Sequence, residues 1–111
     1  MAKSMFVVKS NPLEAREDEY NDWYDNQHVS EVLAVPGFVS AQRFVLADMN
    51  ANEVTVHRYL AIYEIEGDLG SALAALRSAA PGMHISSALE PGSESLVYTE
   101  LEGAPRTLPG T

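Results

Sequence analysis

The alternation of apolar and polar residues predicts four short strands along the chain. Each predicted strand is rich in β-branched or aromatic residues and is bounded by turn-forming residues. The strands are predicted at residues 5–9, 38–47, 56–67 and 94–102. A turn-rich link, residues 48–53, joins the second and third strands.

Two segments between the strands carry the start and stop signals of helices. The first helix is predicted to begin with Asn11 as its cap and to end at about Val35, before Pro36 and Gly37. The second is predicted to begin after Asp68 and to end before residues 81–82. The order β-α-β-β-α-β predicts an α+β, ferredoxin-like sandwich: a four-stranded antiparallel sheet with both helices on one face.

Both sides of the third strand are apolar in the middle of the strand. In a sheet with one solvent-exposed face, one side of the strand would be polar. One side carries Tyr59, Ala61, Tyr63 and Ile65, and the other carries Arg58, Leu60, Ile62 and Glu64. Two helices cover only one face of the sheet. We therefore expect a second copy of the chain to cover the other face, as a sheet-to-sheet homodimer.

Length and composition predict a single domain over residues 1–102 with a loose Pro/Gly-rich tail at residues 103–111. The 111-residue chain has no cysteine, which excludes thiolate metal sites and cysteine nucleophiles. The formal net charge of −9 and the scattered Lys and Arg residues argue against a nucleic-acid partner. No run is long enough for a membrane span, and the N-terminus lacks the features of a signal peptide, so a cytoplasmic protein is expected.

The first helix has an unusual inward face. At about 100° per residue, one side of the helix carries aromatic and polar residues, with Trp23 at its edge. The residues on this side are Tyr20, Tyr24, Gln27, His28, Glu31 and Val35. A helix that only packs on a sheet would be expected to use Leu, Ile, Val and Ala. Aromatic rings with polar atoms suit the wall of a ligand cavity. The alternative for His28 is a core histidine that hydrogen-bonds a backbone carbonyl.

Three stretches of the sequence resemble EthD-like proteins of the dimeric α+β barrel superfamily. "YNDWYDNQHVSEVLAVPGFVSAQRF" resembles their first helix and second strand, with an aromatic pair, a histidine and a Pro-Gly before a strand. "RYLAIYEIEG" is similar to their third strand, and "SSALEP" to the loop before their last strand. One departure is Ser30, two residues after the histidine, where many relatives have proline.

The resemblance implies a ferredoxin-like protomer, a sheet-to-sheet dimer and a pocket between sheet and helices. His28 matches the family histidine, and Trp23 and Tyr24 match the aromatic pair. It implies a small-molecule substrate and a cofactor-independent reaction such as isomerisation, cyclisation or oxygen addition. The resemblance thus implies that no cofactor is needed. No metal is expected either, because the three histidines lie in different elements.

The candidate site consists of His28 as proton carrier and a set of residues that would contact the substrate. An imidazole titrates near neutrality and can take a proton from a carbon or a phenol. The substrate contacts are predicted to be Tyr20, Trp23, Tyr24, Gln27, Arg58 and Tyr63. For Tyr63 the alternative is a tyrosine at the edge of the core, and for Arg58 it is pairing with surface acids.

Two other functions fit the same pattern. One is a non-catalytic ligand-binding or stress-response protein, since this fold serves proteins with no known activity. The other is a haem-degrading monooxygenase, which in this superfamily uses an Asn, a Trp and a helical His. Asn21, Trp23 and His28 imitate that set, although with a different spacing.

Overall fold

The computed structural model describes residues 3–47, 49 and 57–101. The elements are β1 (Ser4–Ser10), α1 (Glu17–Trp23), a π-helical segment (Tyr24–His28), α2 (Val29–Leu33), β2 (Phe38–Val45), β3 (Tyr59–Ile65), α3 (Leu69–Ala79), a 3-10 turn (Ala80–Gly82) and β4 (Glu94–Thr99). The helical axis continues from α1 through the π segment into α2, and we call residues 17–33 the long helix. The predicted β-α-β-β-α-β order and the ferredoxin-like fold are confirmed.

The four strands form one antiparallel sheet in the order β2-β3-β1-β4. β1 is central, so that Phe6 lies opposite Tyr63 on one side and Val97 on the other. A bulge between Phe38 and Ser40 shifts the register of β2. Because of this shift, Phe38 lies on the same face of the sheet as Ala41 and Arg43, which are the partners of Tyr63 and Ala61.

The core lies between the long helix, α3 and one face of the sheet, which we call the inner face. Its buried hydrophobic residues come from the helices, the strands and the loop before β4: Tyr20, Trp23, Tyr24, Val32, Val35, Phe38, Ala61, Tyr63, Ile65, Ala72 and Ala88. Gly37 has a φ of +97°, and a Cβ built on it would lie 2.8 Å from the Cβ of Ala72. The turn after the long helix thus approaches α3 so closely that glycine is needed.

The opposite face of the sheet, the outer face, is also apolar. It carries Met5, Val7, Phe44, Leu60, Ile62, Leu96 and Tyr98, placed there by the strand register. Phe44, Leu96 and Tyr98 are 47%, 42% and 52% exposed. Among the described residues, the core cluster and the side chains packed against it belong to the inner face of the sheet, not to the outer one. The apolar second side predicted for β3 is therefore present.

The predicted start of the first helix is wrong by several residues. The helix begins at Glu17, with Arg16 in the cap position, rather than after Asn11. Pro12 instead forms an isolated antiparallel bridge with Leu89, and the Asn11 side chain accepts a hydrogen bond from the Arg58 N–H at 2.7 Å. Tertiary pairing with the loop before β4 therefore outweighs the local capping signal.

The predicted helical face also changes in the last turns. The π segment accommodates one more residue per turn than an α-helix would, and the N–H of Val29 bonds to the carbonyl of Tyr24 five residues earlier. Residues after the segment are rotated relative to a regular helix. Val32 is buried for this reason, and Gln27 is exposed although the regular helix predicted it inward.

The other boundaries agree closely with the predictions where the structure describes them. Asp68 caps α3, with its carboxylate accepting from the Ser71 N–H at 2.8 Å. The predicted tail, residues 103–111, and nearly all of the link at residues 48–53 lie outside the described residues. Within the described ranges, no helix combines the length and apolar character that crossing a bilayer requires.

Candidate functional site

His28 is the last residue of the π segment and lies against two aromatic rings. Its ring stacks on Trp23, with centroids 4.6 Å apart and an interplanar angle of 22°. Tyr24 meets it edge-on at 5.2 Å. On a regular α-helix, side chains five positions apart point about 140° away from each other. The π segment is therefore what brings Trp23 and His28 into a stack.

Glu31 connects His28 to the loop before β4. One carboxylate oxygen, Oε1, lies 3.3 Å from Nδ1 of His28. The other, Oε2, accepts a hydrogen bond from the backbone N–H of His84 at 3.0 Å. The indole N–H of Trp23 donates to the carbonyl of the same His84 at 2.9 Å. Both backbone groups of His84 are thus bound by the two residues that contact the His28 ring.

The environment of His28 favours its neutral form. Its side chain is 16% exposed, and burial lowers the pKa of His28 below its ordinary value, while the hydrogen bond and the charge of Glu31 partly oppose this. The hydrogen bond from the His84 backbone lowers the pKa of Glu31. A neutral imidazole beside a carboxylate follows at neutral pH. Among the described residues, Nε2 of His28 has no hydrogen-bond partner.

A second polar group lies deeper, where three tyrosines meet the inner face of the sheet. The hydroxyl of Tyr20 shares a 2.6 Å hydrogen bond with Ser10 on β1. Burial raises the pKa of Tyr24 to about 12 and raises the pKa of Tyr63 as well. The hydroxyls of Tyr24 and Tyr63 are close enough to affect each other's pKa, but their geometry is not that of a hydrogen bond. The fully buried Tyr63 hydroxyl has no partner within the described part of the chain.

Arg43 of β2 crosses from the sheet to the long helix beside these tyrosines. Its guanidinium donates to Asp25 and to Asn21, both at 2.8 Å, and lies 4.4 Å from the centroid of the Tyr24 ring. The Arg43 side chain is only 14% exposed. A cavity of about 320 Å³ adjoins it, lined by Asp25, Gln42, Arg43, Phe44, Val45 and Tyr59.

Four of the predicted site residues come together around His28 and the tyrosines, and two do not. Tyr20, Trp23 and Tyr24 are buried and their rings contact one another. Tyr63 is buried beside them, with its ring against Phe6 and Phe38. Gln27 is exposed on the long helix. Arg58 is 52% exposed and pairs with Glu17, which also accepts a hydrogen bond from the Tyr59 hydroxyl. This surface ion pair is the alternative that the sequence left open for Arg58.

Arg43 and the roles of Glu31 and His84 were not predicted. Strand alternation places Arg43 and Ala41 on the same face of the sheet. Because of the bulge at Phe38, the sequence does not indicate whether that face is the inner one. For Glu31 a signal existed, because residues three apart on a helix are neighbours. The backbone of His84 comes from a distant loop, for which a single sequence carries no signal. In the described residues, no three His, Asp or Glu side chains converge as metal ligands.

No protein-family model matches the sequence, and no curated protein does. Solved structures do match the fold. An ethyl tert-butyl ether D (EthD) family protein from Bacillus halodurans aligns with 91% of this chain and 100% of its own, with a TM-score of 0.62 and 13% identity. A protein from Shewanella loihica, proposed to be a monooxygenase, aligns with 96% of this chain and 99% of its own (TM-score 0.59, 14% identity).

HapK from Hahella chejuensis aligns with 99% of this chain and 100% of its own, with a TM-score of 0.57 and 16% identity. At such identities the likeness concerns the fold alone, which is the ferredoxin-like fold described above. Chemistry has to be argued from this chain's own residues.

Proposed function

We propose that this protein is an EthD-like, cofactor-independent enzyme that transfers a proton on a small apolar cyclic or aromatic metabolite. His28 is the general base. The observation that carries the proposal is the setting of His28: a mostly buried imidazole, stacked on Trp23, with one nitrogen at a carboxylate and no described partner on the other.

The chemistry follows from the protonation state of that ring. A neutral imidazole can accept a proton at Nε2 from a carbon next to a carbonyl or from a phenol. Return of the proton to another atom of the same molecule gives an isomer, and attack by the resulting carbanion on the same molecule gives a ring. Addition of dioxygen to the carbanion gives a peroxide anion. This anion takes back the proton from His28 and loses water, so that a ketone or quinone with one new oxygen atom remains, which is the monooxygenase type of product. The aromatic rings around His28 suit apolar substrates of this kind.

The test is His28→Ala in a screen of aromatic ketones, phenols and lactones. If His28 is the base, turnover of an accepted substrate should fall by roughly 10²–10⁴-fold, while folding is retained. If His28 is only a core residue, the same change should lower the free energy of unfolding by about 1–3 kcal/mol and leave turnover unchanged. That second result would end the proposal.

Two further variants control for indirect effects. His57→Ala removes a histidine that hydrogen-bonds the Gly92 carbonyl and is not one of the proposed site residues; turnover should not change. Trp23→Phe alters the wall against which His28 stacks and removes the bond to His84. It should change substrate preference more than the rate with the best substrate.

A second candidate function is non-catalytic ligand binding, which the cavity beside Arg43 favours. In this case His28→Ala would alter ligand affinity but abolish no turnover. The visible absorbance spectrum of the purified protein separates both candidates from a haem-degrading enzyme, because only the last would show a Soret band after haem is added and would consume the haem.

The active form is proposed to be a cytoplasmic homodimer joined through the outer faces of two sheets. The support is the continuous apolar outer face, which includes strongly exposed Phe44, Leu96 and Tyr98. Monomeric soluble proteins rarely expose large contiguous apolar patches. The helices cover the inner face of the sheet, so the outer face is free for the second copy.

A further inference from the structure

We infer that Glu31 is a positioning residue that fixes His28 in one tautomer, with the proton on Nδ1 and the free electron pair on Nε2. The inference rests on the proposed role of His28 as base and extends it to a residue that does not touch the substrate. It also includes the backbone of His84, which holds the carboxylate of Glu31 in place.

The two carboxylate oxygens of Glu31 have different partners. Oε2 accepts the His84 backbone N–H at 3.0 Å, and Oε1 faces Nδ1 of His28 at 3.3 Å. A carboxylate that is already bound to a backbone N–H has lost much of its rotational freedom. It can therefore hold the imidazole in one orientation at a lower entropic cost than a free side chain would.

The ring is fixed from its face as well. Trp23 stacks on His28 and donates its indole N–H to the His84 carbonyl, so that the same loop residue holds both neighbours of the imidazole. The arrangement differs from an ordinary surface pair on a helix. The side chains of His28 and Glu31 are 16% and 21% exposed, and the carboxylate is bound to a residue 53 positions away in sequence.

The electrostatic consequence is a choice between the two ring nitrogens. An ionised carboxylate only accepts hydrogen bonds, so the nitrogen that faces it has to carry the proton in the neutral ring. Nε2 is then the nitrogen with the free pair. The other groups against the ring are the uncharged Trp23 and Tyr24, while the side chain of His84 lies near Glu31 and acts on its charge. Among the described neighbours, Glu31 alone is an anion at the ring.

The test is ¹⁵N NMR of the imidazole nitrogens in the intact protein at a pH where His28 is neutral. The expected result for the wild type is a protonated Nδ1 and an unprotonated Nε2 on His28. In Glu31→Gln the carboxylate charge is lost, so the mixture of tautomers should shift toward Nε2–H and the pKa of His28 should fall. A wild-type spectrum with the proton on Nε2 would overturn the inference without any variant.

Asp18→Asn is the matched control. It removes the same charge from the same helix at an exposed position about 15 Å away along the axis, beyond the screening length at physiological salt. It should leave the His28 spectrum unchanged. Equal shifts in Glu31→Gln and Asp18→Asn would mean that the effect is one of total charge, and would overturn the positioning role.

Failure of this inference and failure of the proposed function give different results. If His28→Ala leaves turnover unchanged, the general-base role is wrong even when the NMR tautomer is as expected. If the tautomer is the opposite one but His28→Ala abolishes turnover, His28 remains the base and Glu31 has no positioning role. Where both hold, Glu31→Gln should lower kcat with little change in KM, because the tautomer affects the chemical step rather than binding.

Discussion

Two core tyrosines with the same burial differ in one respect, the partner of the hydroxyl. Tyr20 and Tyr63 are both 0% exposed. The Tyr20 hydroxyl is bonded to Ser10, whereas the Tyr63 hydroxyl has no partner among the described residues. A buried hydroxyl without a partner loses its bonds to water and gains nothing in return. The Tyr63 hydroxyl is thus a cost to folding that the Tyr20 hydroxyl avoids.

We predict opposite effects of the two tyrosine-to-phenylalanine changes on the free energy of unfolding. Tyr63→Phe should leave it unchanged or raise it, by at most about 1–3 kcal/mol, because the desolvated hydroxyl is removed. Tyr20→Phe should lower it by a similar amount, since Ser10 is left buried without its bond. Urea denaturation measures both. A loss in Tyr63→Phe as large as that in Tyr20→Phe would indicate an ordered water on Tyr63 instead.

The buried tyrosines also predict a loss of stability at alkaline pH. Burial raises the pKa of Tyr24 to about 12, while in the unfolded chain it is about 10. Between these values the folded state keeps the proton and the unfolded state releases it, so stability is complete below about pH 10 and falls as the pH rises toward 12. For Tyr24 alone the loss is about 3 kcal/mol.

Denaturation curves recorded between about pH 9 and pH 12 measure this effect. Tyr24→Phe should show a smaller loss than the wild type over this range, because it has no phenol to ionise at that position. An identical slope for the two proteins would contradict the assignment.

Among the secondary-structure elements, the boundaries that depend on residues close in sequence were predicted correctly. Asp68 caps α3, and the long helix stops before Pro36 as expected. The start of that helix was missed because residues 11–13 pair with the loop before β4, which no local signal reports. Val35 is buried as predicted, but the exposure of Gln27 and the burial of Val32 were missed, because a π segment cannot be seen in a hydrophobic period.

The candidate site shows the same division. His28, Trp23 and Tyr24 were predicted because their residue types are unusual on a helix that packs against a sheet. Gln27 was assigned to the site by a regular helical period that the π segment interrupts. Arg43 and the His84 backbone were missed because their contacts join elements that are distant in sequence.

The turn between the long helix and β2 gives a prediction at this scale. Gly37→Ala should lower the free energy of unfolding by about 1–3 kcal/mol, because the φ of +97° is strained for alanine and the new Cβ would lie 2.8 Å from Ala72. Gly82→Ala is the control, since its Cβ would meet nothing within 4 Å and its φ is not positive. It should change stability by less than about 1 kcal/mol, and thermal unfolding compares the two.

For the whole molecule, the distribution of apolar residues over the two faces of the sheet is the basis for predicting its oligomeric state. One face of the sheet is covered by the long helix and α3, and the other presents an apolar outer face that no described helix covers. Twisted four-stranded sheets with an apolar face need a partner layer to be stable. We predict that a second copy supplies this layer, because it has the same twist and the same surface.

We predict a homodimer that Ile62→Lys dissociates. Ile62 lies at the middle of the outer face, opposite Val7 on β1 and Gln42 on β2, so a lysine there would have to be buried in the interface without a counter-charge. Sedimentation equilibrium at micromolar concentration should give a dimer for the wild type and a monomer or a weakened dimer for the variant. Ala74→Lys, at an exposed position of α3, should remain dimeric. A wild-type monomer would rule the interface out.

The π segment has a genetic consequence. Five residues there occupy a turn that an ordinary helix would build with about four, so the segment behaves as a one-codon insertion within the gene for an otherwise regular helix. Removing the codon for exposed Gln27 would shorten the helix by that residue while keeping every core side chain before it in place. It would also place the tryptophan and the histidine four positions apart on a regular helix, where the two rings would still share one face. In an alignment with relatives that have the regular helix, the π segment would therefore appear as a one-residue gap between the aromatic pair and the histidine.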